Sequence, residues 1–202
     1  MKVTYIVNSV FSSRTYILSE EGSDDIWLID CGDIDDVMVQ LSSQHVIKGV
    51  LLTHAHYDHI YGLPRLSELF PFVRVYTNAF GRKMLGDARK NMSKYHDNPI
   101  VFESEGLVEC GEGDEIDLFE GVRAKVYYTP GHNPSCLTYE VEGFLFTGDA
   151  FIPGVKVVTT LPGADKHLAI QSVARINQLA TGRIICPGHE VVGENGSSSD
   201  RW

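Results

Sequence analysis

The sequence predicts an α/β fold in which two β-sheets are covered on their outer faces by helices. Apolar segments of strand length alternate with segments of helical periodicity along the whole chain. The strands and helices fall into two halves, and each half finishes with a helix and then a strand. Two packed sheets with helices outside bury the apolar faces of all these elements.

In the first half, short apolar runs predict strands at residues 2–7, 14–18, 26–30, 46–52 and 73–77. Apolar spacing predicts one helix at 33–41, with Asp33 as its N-cap, and another at 60–70, with Pro64 in its first turns. Residues 78–98 are polar and mostly helical in character.

In the second half, apolar runs separated by Gly-containing turns predict antiparallel strands at residues 116–119, 122–128, 136–141 and 144–147. Residues 103–117 are predicted to be loop with short strands. A helix at 167–179 and a strand at 183–186 follow, and the Gly/Ser-rich residues 193–202 are predicted to be a flexible tail. No repeat or linker divides the chain, so residues 1–202 are predicted to form one domain.

The composition excludes some classes of protein. The formal net charge of −10 argues against broad non-specific binding of nucleic acid. No apolar run approaches the roughly 18 residues of a membrane helix. The N-terminal segment resembles a first strand rather than a signal peptide, so a cytoplasmic location is expected. The four cysteines are widely spaced, which favours buried thiols over disulfides or metal ligands.

The segment His54-Ala55-His56-Tyr57-Asp58-His59 is the strongest chemical signal in the chain. It holds three imidazoles and a carboxylate in six residues, directly after the strand predicted at 46–52. Imidazole and carboxylate groups are the ligands of zinc and similar divalent ions. This density predicts a metal site that holds two ions.

Three later segments place one further ligand each just after a predicted strand, beside glycine or proline that shapes a tight turn. The seven candidate ligands are His54, His56, Asp58, His59, His132, Asp149 and His189. His45, His96 and His167 lack this context and are predicted to be ordinary polar residues.

With its H-x-H-x-D-H signature, followed by His132, Asp149 and His189 in the same order, the chain resembles the metallo-β-lactamase-fold hydrolases. The Thr-Pro-Gly-His and Thr-Gly-Asp segments are most similar to those of the glyoxalase II branch, which hydrolyses acyl-glutathione thioesters. The resemblance implies a four-layer αβ/βα sandwich with the metals at one edge of the two sheets.

Carried over residue by residue, the resemblance implies two divalent ions, with zinc expected and iron or manganese as alternatives. It assigns His54, His56 and His132 to one ion, and Asp58, His59 and His189 to the other. Asp149 bridges both ions. The implied chemistry is attack by a metal-held hydroxide on a thioester, ester or lactone, with Asp58 orienting that hydroxide.

Differences between this sequence and those of related families reduce the number of functions that we expect for it. Asp149 stands where many zinc β-lactamases use another residue type, so hydrolysis of β-lactams is not expected. Ala55 stands where flavodiiron oxygen reductases carry glutamate, and the RNA-gripping arm of the tRNA-processing nucleases is not evident. Glyoxalase II continues beyond its last histidine into a helical segment that grips glutathione. The present sequence stops soon after His189, at Trp202, so it supports the metal chemistry but gives no support for recognition of glutathione.

The substrate is expected to be a small molecule, and an anion is one alternative. Basic residues clustered in an acidic chain are candidates to bind it, although a solvated helix face is the favoured explanation for most of them. Tyr57 lies inside the motif, and it either lines the mouth of the site or packs in the interior. The candidate basic residues are Arg82, Lys83, Arg89, Lys90, Lys94 and Lys156.

Two other classes of function remain open from the sequence. The persulfide dioxygenases share the implied fold and hold one iron with two histidines and one aspartate, which His54, His132 and Asp149 match. A metal-binding protein without turnover is the other alternative. The sequence carries no indication of the oligomeric state.

Overall fold

Eleven strands form two mixed sheets in the computed structural model of the chain, which describes residues 1–190. The first sheet contains, in spatial order, β1 (Lys2–Val7), β2 (Arg14–Ser19), β3 (Asp25–Ile29), β4 (Val46–Leu51), β5 (Arg74–Thr77) and β6 (Leu107–Glu109). The second contains β7 (Glu115–Phe119), β8 (Val122–Tyr128), β9 (Leu137–Val141), β10 (Phe144–Gly148) and β11 (Ile184–Pro187), in the spatial order β11-β10-β9-β8-β7. The predicted tail at 193–202 lies outside the described residues.

Three hydrophobic cores separate four layers. The first lies between the first sheet and the helices α1 (Ile34–Gln40), α2 (Leu63–Leu69) and α3 (Ala79–Leu85). The second fills the space between the two sheets, where Trp27 donates its indole N–H to the carbonyl of Leu118. The third, which includes Leu145 and Ile176, packs α4 (Lys166–Leu179) against the second sheet. The predicted sandwich of two helix-covered sheets is confirmed.

Strand directions bring distant loops to one edge of this sandwich. In the second sheet, β8 and β10 are both antiparallel to β9, and β11 is parallel to β10. The carboxyl ends of β8, β10 and β11 therefore share an edge. The amide of Leu137, at the start of β9, donates to the carbonyl of Thr53, just after β4, over 2.7 Å. This bond joins the corresponding edge of the first sheet to the second.

Two helices differ from the sequence prediction. The predicted helix at 60–70 begins only at Leu63, because Pro64 has no N–H to donate and its fixed φ suits a first turn; a short 3₁₀ turn, Tyr57–His59, precedes it. The mostly helical character predicted for 78–98 is wrong beyond α3, except for one short 3₁₀ turn at Ser93–Tyr95. There the side chains of Asn91 and Ser93 bond to backbone groups, which competes with helix formation.

The N-terminus of α1 also differs in detail. Asp33 occupies the N-cap position, but its carboxylate makes no capping bond. It accepts hydrogen bonds from the backbone N–H of Ser9 (2.6 Å) and the hydroxyl of Tyr61 (2.6 Å). The four cysteines are free and buried, as predicted. Among residues 1–190, no helix has the length and apolar character needed to cross a membrane.

Candidate metal centre

Four loops at the shared edge bring the seven predicted ligands together. Residues 54–59 follow β4, His132 follows β8, Asp149 follows β10 and His189 follows β11. Asp149 and His189 are half-buried and the other five side chains are buried. Imidazoles and carboxylates have therefore been drawn together in a place largely withdrawn from water.

One group of donors contains His54, His56 and His132, which offer ligand atoms within 4.8 Å of one another. Nδ1 of His56 lies 3.0 Å from Nε2 of His132. The rings of His54 and His132 meet edge to face with centroids 5.1 Å apart. This close packing aims three ring nitrogens at one point.

A second group contains Asp58, His59 and His189, again with ligand atoms within 4.8 Å. Oδ2 of Asp58 lies 3.3 Å from Nε2 of His59 and 3.3 Å from Nε2 of His189. The two imidazole Nε2 atoms are 3.4 Å apart.

Asp149 lies between the two groups. Its Oδ1 is 3.5 Å from Nε2 of His59, and its Oδ2 is 3.6 Å from Nε2 of His132 and 3.3 Å from Nε2 of His189. It also forms a third set of donors with His54 and His59, one residue from each group. A single carboxylate thus reaches both groups.

Hydrogen bonds on the outer side of the histidines orient their rings. Nδ1 of His132 donates to the carbonyl of Val158, and Nδ1 of His189 donates to the carbonyl of Phe11, both over 2.9 Å. A carbonyl oxygen can only accept, so each Nδ1 carries the proton. In both rings, Nε2 then faces the cluster.

Asp30 and Thr53 orient two more rings in the same way. Oδ2 of Asp30 lies 2.8 Å from Nδ1 of His59 and accepts the hydroxyl of Thr53 over 2.7 Å. That hydroxyl is 3.2 Å from Nδ1 of His54, and because its proton goes to Asp30 it can accept from His54. His56 is the exception: Nδ1 faces the cluster, while Nε2 contacts the amide of Asn133 over 2.7 Å.

The charges within the cluster shift its pKa values in opposite directions. Burial lowers the pKa of His54 well below its usual value and that of His56 to about 4, so both rings are neutral donors. Burial also lowers the pKa of His189, but hydrogen bonds to Asp149 and Asp58 outweigh it and raise that pKa to about 10. In the absence of a metal ion, a proton shared with these carboxylates supplies the positive charge there.

The pKa values of the two carboxylates, Asp58 and Asp149, are both lowered overall. Although burial raises the pKa of Asp58, His59 and His189 hold it well below its usual range. Burial raises the pKa of Asp149 too, but the hydrogen bond from His189 and the charge of His59 lower it overall. Both groups are therefore ionised at neutral pH.

The donor set fits divalent cations. Nε2 of His54 and Oδ1 of Asp149 are buried and have no hydrogen-bond partner among the described residues. Leaving such atoms unpaired is costly unless something else binds them. Imidazole and carboxylate together suit zinc, iron or manganese.

A cleft of about 470 Å³ opens above the cluster. His56, Asp58, His132, Asp149 and His189 form its floor, and its walls are apolar or aromatic. This volume falls in the range of small-molecule sites.

The residues predicted to contact substrate are only partly at this cleft. Tyr57 lines it. None of the six basic candidates is among its lining residues. Arg82 lines a separate cleft, where it pairs with Glu109 over 2.7 Å, and Lys90 pairs with Asp87 over 3.3 Å. Lys83, Arg89, Lys94 and Lys156 are exposed. The lining of the cleft therefore provides no support for their predicted role.

Sequence reasoning did not identify several residues around the centre. Asp30 ends a strand beside Gly32, which is the same context as the predicted ligands and could have singled it out. Asn133 follows His132 directly. Phe11 and His96 line the cleft, but no pattern in the sequence links them to the histidine motif.

This chain is similar in sequence to known metal-dependent enzymes and matches one family profile over most of its length. The sequence profile described as "Metallo-beta-lactamase superfamily" matches residues 11–189. The hydroxyacylglutathione hydrolase of Klebsiella pneumoniae is 28% identical over 177 residues, which are 87% of this chain and 61% of that protein. The atrochrysone carboxyl ACP thioesterase of Aspergillus fumigatus is 31% identical over 191 residues, which are 91% of this chain and 52% of that protein.

The chain thus spans between about half and two-thirds of the length of these curated relatives. Among solved structures, the B3 metallo-beta-lactamase BLEG-1 superimposes with a TM-score of 0.81 at 25% identity. That match covers 94% of this chain and 92% of the other.

Proposed function

Because the chain belongs to the metallo-beta-lactamase superfamily, we propose that it is a hydrolase that uses two divalent metal ions to cleave a thioester, ester or lactone. One observation carries this proposal: two groups of three donors lie side by side, and the carboxylate of Asp149 reaches both. Hydroxyacylglutathione hydrolase and thioesterase relatives support a thioester as the substrate class.

In this proposal His54, His56 and His132 hold one ion, Asp58, His59 and His189 hold the other, and Asp149 binds both. We expect zinc, with iron and manganese as the alternatives. When bound, the two ions supply a water that is ionised near neutral pH and positive charge opposite a developing oxyanion.

The protein's own groups orient the reactants. Asp58 is buried and ionised, so it can accept a hydrogen bond from the attacking water and direct it towards the carbonyl carbon. Asp30 is hydrogen-bonded to Nδ1 of His59, on the side of the ring that faces away from the cluster. The carbonyls of Val158 and Phe11 accept from Nδ1 of His132 and His189 in the same way. These outer contacts keep the site in one geometry, which reduces the reorganisation needed during reaction.

Metal analysis of the native protein, paired with a panel of thioesters, lactones and phosphodiesters, tests this proposal. About two ions per chain and turnover of a thioester or lactone are expected. One iron per chain with thiol-dependent oxygen uptake would instead identify the dioxygenase class. A metal-loaded protein that turns over nothing in the panel would favour a binding protein without catalysis.

A matched pair of histidine variants sharpens the test. His132→Ala removes a donor from the cluster and is expected to lower both metal content and turnover. His45→Ala changes a ring in the loop between α1 and β4, where Nδ1 accepts the backbone N–H of Ser42 over 3.1 Å. Equal metal content in the two variants would contradict the ligand assignment.

A further inference from the structure

The walls of the cleft above the metal centre are built from aromatic and apolar side chains. Tyr57 stacks on His96 with ring centroids 4.1 Å apart and an interplanar angle of 28°, and Phe11 meets the same imidazole edge to face at 5.6 Å. Met92 and Leu161 are further wall residues. The ionised groups of the cleft lie on its floor, within the metal centre.

Large aromatic surfaces are left uncovered at the mouth of this cleft. Phe11 is 68% exposed and Tyr95 is 73% exposed, although both line it. Exposed aromatic rings around a concave site gain free energy when an apolar ligand covers them. The mouth therefore favours a flat or extended apolar group.

The loops on both sides of the mouth contain residues with strained, left-handed backbone conformations. Phe11 and Ser12 have φ of 54° and 55°, and Met92 has φ of 68°, in the left-handed region that costs these residues energy. The first loop is secured by His189, which donates to the carbonyl of Phe11, and by Glu190, whose N–H donates to the carbonyl of Ser12 over 3.2 Å. Hydrogen bonds therefore fix the loop that carries Phe11, and one of them comes directly from a proposed metal ligand, His189.

No lysine or arginine among the described residues lines the cleft. The chain carries a formal net charge of −10, so its wider field opposes anions. A substrate with several carboxylates, such as a glutathione thioester, finds no side-chain cation along these walls. The lining of the walls and the net charge of the chain therefore favour a substrate whose portions outside the metal centre are neutral.

We propose that the cleft selects thioesters whose acyl group is apolar and whose thiol portion is uncharged, an inference that rests on the proposed hydrolase function. The acyl group lies against Phe11, Tyr57 and Tyr95, with its carbonyl over the metal centre. Water adds to the carbonyl carbon and the C–S bond breaks. The products are a carboxylic acid and a thiol, which takes up the second proton of the water.

Binding of non-hydrolysable analogues tests the selectivity without any turnover. Phenacyl thioethers of N-acetylcysteamine and of glutathione share the phenyl ketone and differ in the thiol portion, which is small and neutral in the first and larger and anionic in the second. The 2-oxopropyl thioether of N-acetylcysteamine replaces phenyl by methyl. Calorimetry on metal-free and metal-loaded protein is expected to show the phenyl compound binding on the order of tenfold or more tightly than the methyl compound. Replacing N-acetylcysteamine by glutathione in the phenyl compound is expected to increase the affinity by less than about threefold.

Variants locate the effect in the aromatic mouth. Phe11→Ala and Tyr95→Ala are each expected to weaken the phenyl analogue by about three- to tenfold and to leave the methyl analogue nearly unchanged. Phe72→Ala is the matched control, because Phe72 is 96% exposed and precedes the amino end of β5, at the edge of the sheet opposite the cleft.

Kinetic measurements use the corresponding benzoyl and acetyl thioesters of N-acetylcysteamine and benzoyl-glutathione. The selectivity is overturned if kcat/KM is more than about tenfold higher for the glutathione thioester than for the matching N-acetylcysteamine thioester and if this difference falls as salt is added. That result would leave the proposed hydrolase function standing. Equal binding of phenyl and methyl analogues overturns it as well. Absence of turnover for all three thioesters, with the expected binding preference retained, contradicts the hydrolase function and leaves the apolar selectivity standing.

Discussion

Asp30 joins the end of β3 to the metal centre, because its Oδ2 lies 2.8 Å from Nδ1 of His59. The same carboxylate accepts the backbone N–H of Thr53 and the hydroxyl of Thr53, both over 2.7 Å. Asp30 has φ of 60°, a conformation that aspartate and asparagine tolerate better than most residues. One buried side chain therefore sets both the turn after β3 and the orientation of a proposed metal ligand.

Asp30→Asn is expected to weaken metal binding by about 10- to 100-fold. The asparagine amide keeps the turn but presents an N–H₂ group to either Thr53 or His59. If it faces His59, Nδ1 can no longer donate, and the proton moves to Nε2, where it blocks the lone pair. Competition with a fluorescent zinc chelator measures the change, and unaltered affinity in a folded variant would exclude this orienting role.

Asp58→Asn is expected to lower kcat by at least about 100-fold with a much smaller effect on folding. The variant loses the ionised carboxylate that the proposal uses to orient water. Asp36→Asn, on the exposed face of α1, serves as the control for loss of one negative charge. Steady-state kinetics with metal content determined for each sample checks this, and full turnover at full metal content would refute the role.

Removal of metal is expected to lower the melting temperature. An ion present at about 100 times its Kd stabilises the native state by about 2.7 kcal/mol per site. For a chain of this length that corresponds to roughly 5–10 °C per site. Thermal denaturation after chelation and again after addition of zinc measures it. A melting temperature that does not respond to either treatment would mean that the cluster binds no ion tightly.

Gly188→Ala is expected to disturb the centre directly. A Cβ at this position would overlap Oδ1 of Asp149 and come within 3.0 Å of Cε1 of His59. Gly111→Ala is the control, since a Cβ there meets nothing within 4 Å. We expect reduced metal content for Gly188→Ala only, measured by elemental analysis of the purified proteins, and equal values would show that Asp149 can move aside freely.

Glu140 is expected to contribute a pH-dependent part of the stability. Burial raises the pKa of this side chain, but the Tyr127 hydroxyl and the Arg183 guanidinium lower it overall. A carboxyl whose pKa is lowered in the folded state stabilises the fold above its unfolded pKa and loses this contribution as pH falls through the folded value.

Glu140→Gln should therefore cost up to about 1 kcal/mol at pH 7 and nothing once the pH lies well below the folded pKa. Urea denaturation at several pH values measures the difference. A cost that stays constant down to strongly acidic pH would assign it to packing instead of charge.

Local patterns in the amino-acid sequence were sufficient to predict the order of most strands and helices, the two-sheet architecture and the seven candidate ligands. These features depend on local patterns, because periodicity of two or 3.6 residues and turn-forming glycine and proline act within a few neighbours. The start of α2 at Leu63, one residue before Pro64, is set locally as well, but apolar spacing alone does not indicate where a first turn begins.

The surroundings of those ligands depend on the packing of segments that are distant in the sequence. The carbonyl that orients His189 belongs to Phe11, 178 residues away, and the N–H of Ala55 donates to Ser135 across 80 residues. Such contacts arise from sheet topology and side-chain packing, so no local pattern reports them. For the same reason the basic candidates stayed outside the cleft while Phe11, Tyr95 and His96 came to line it.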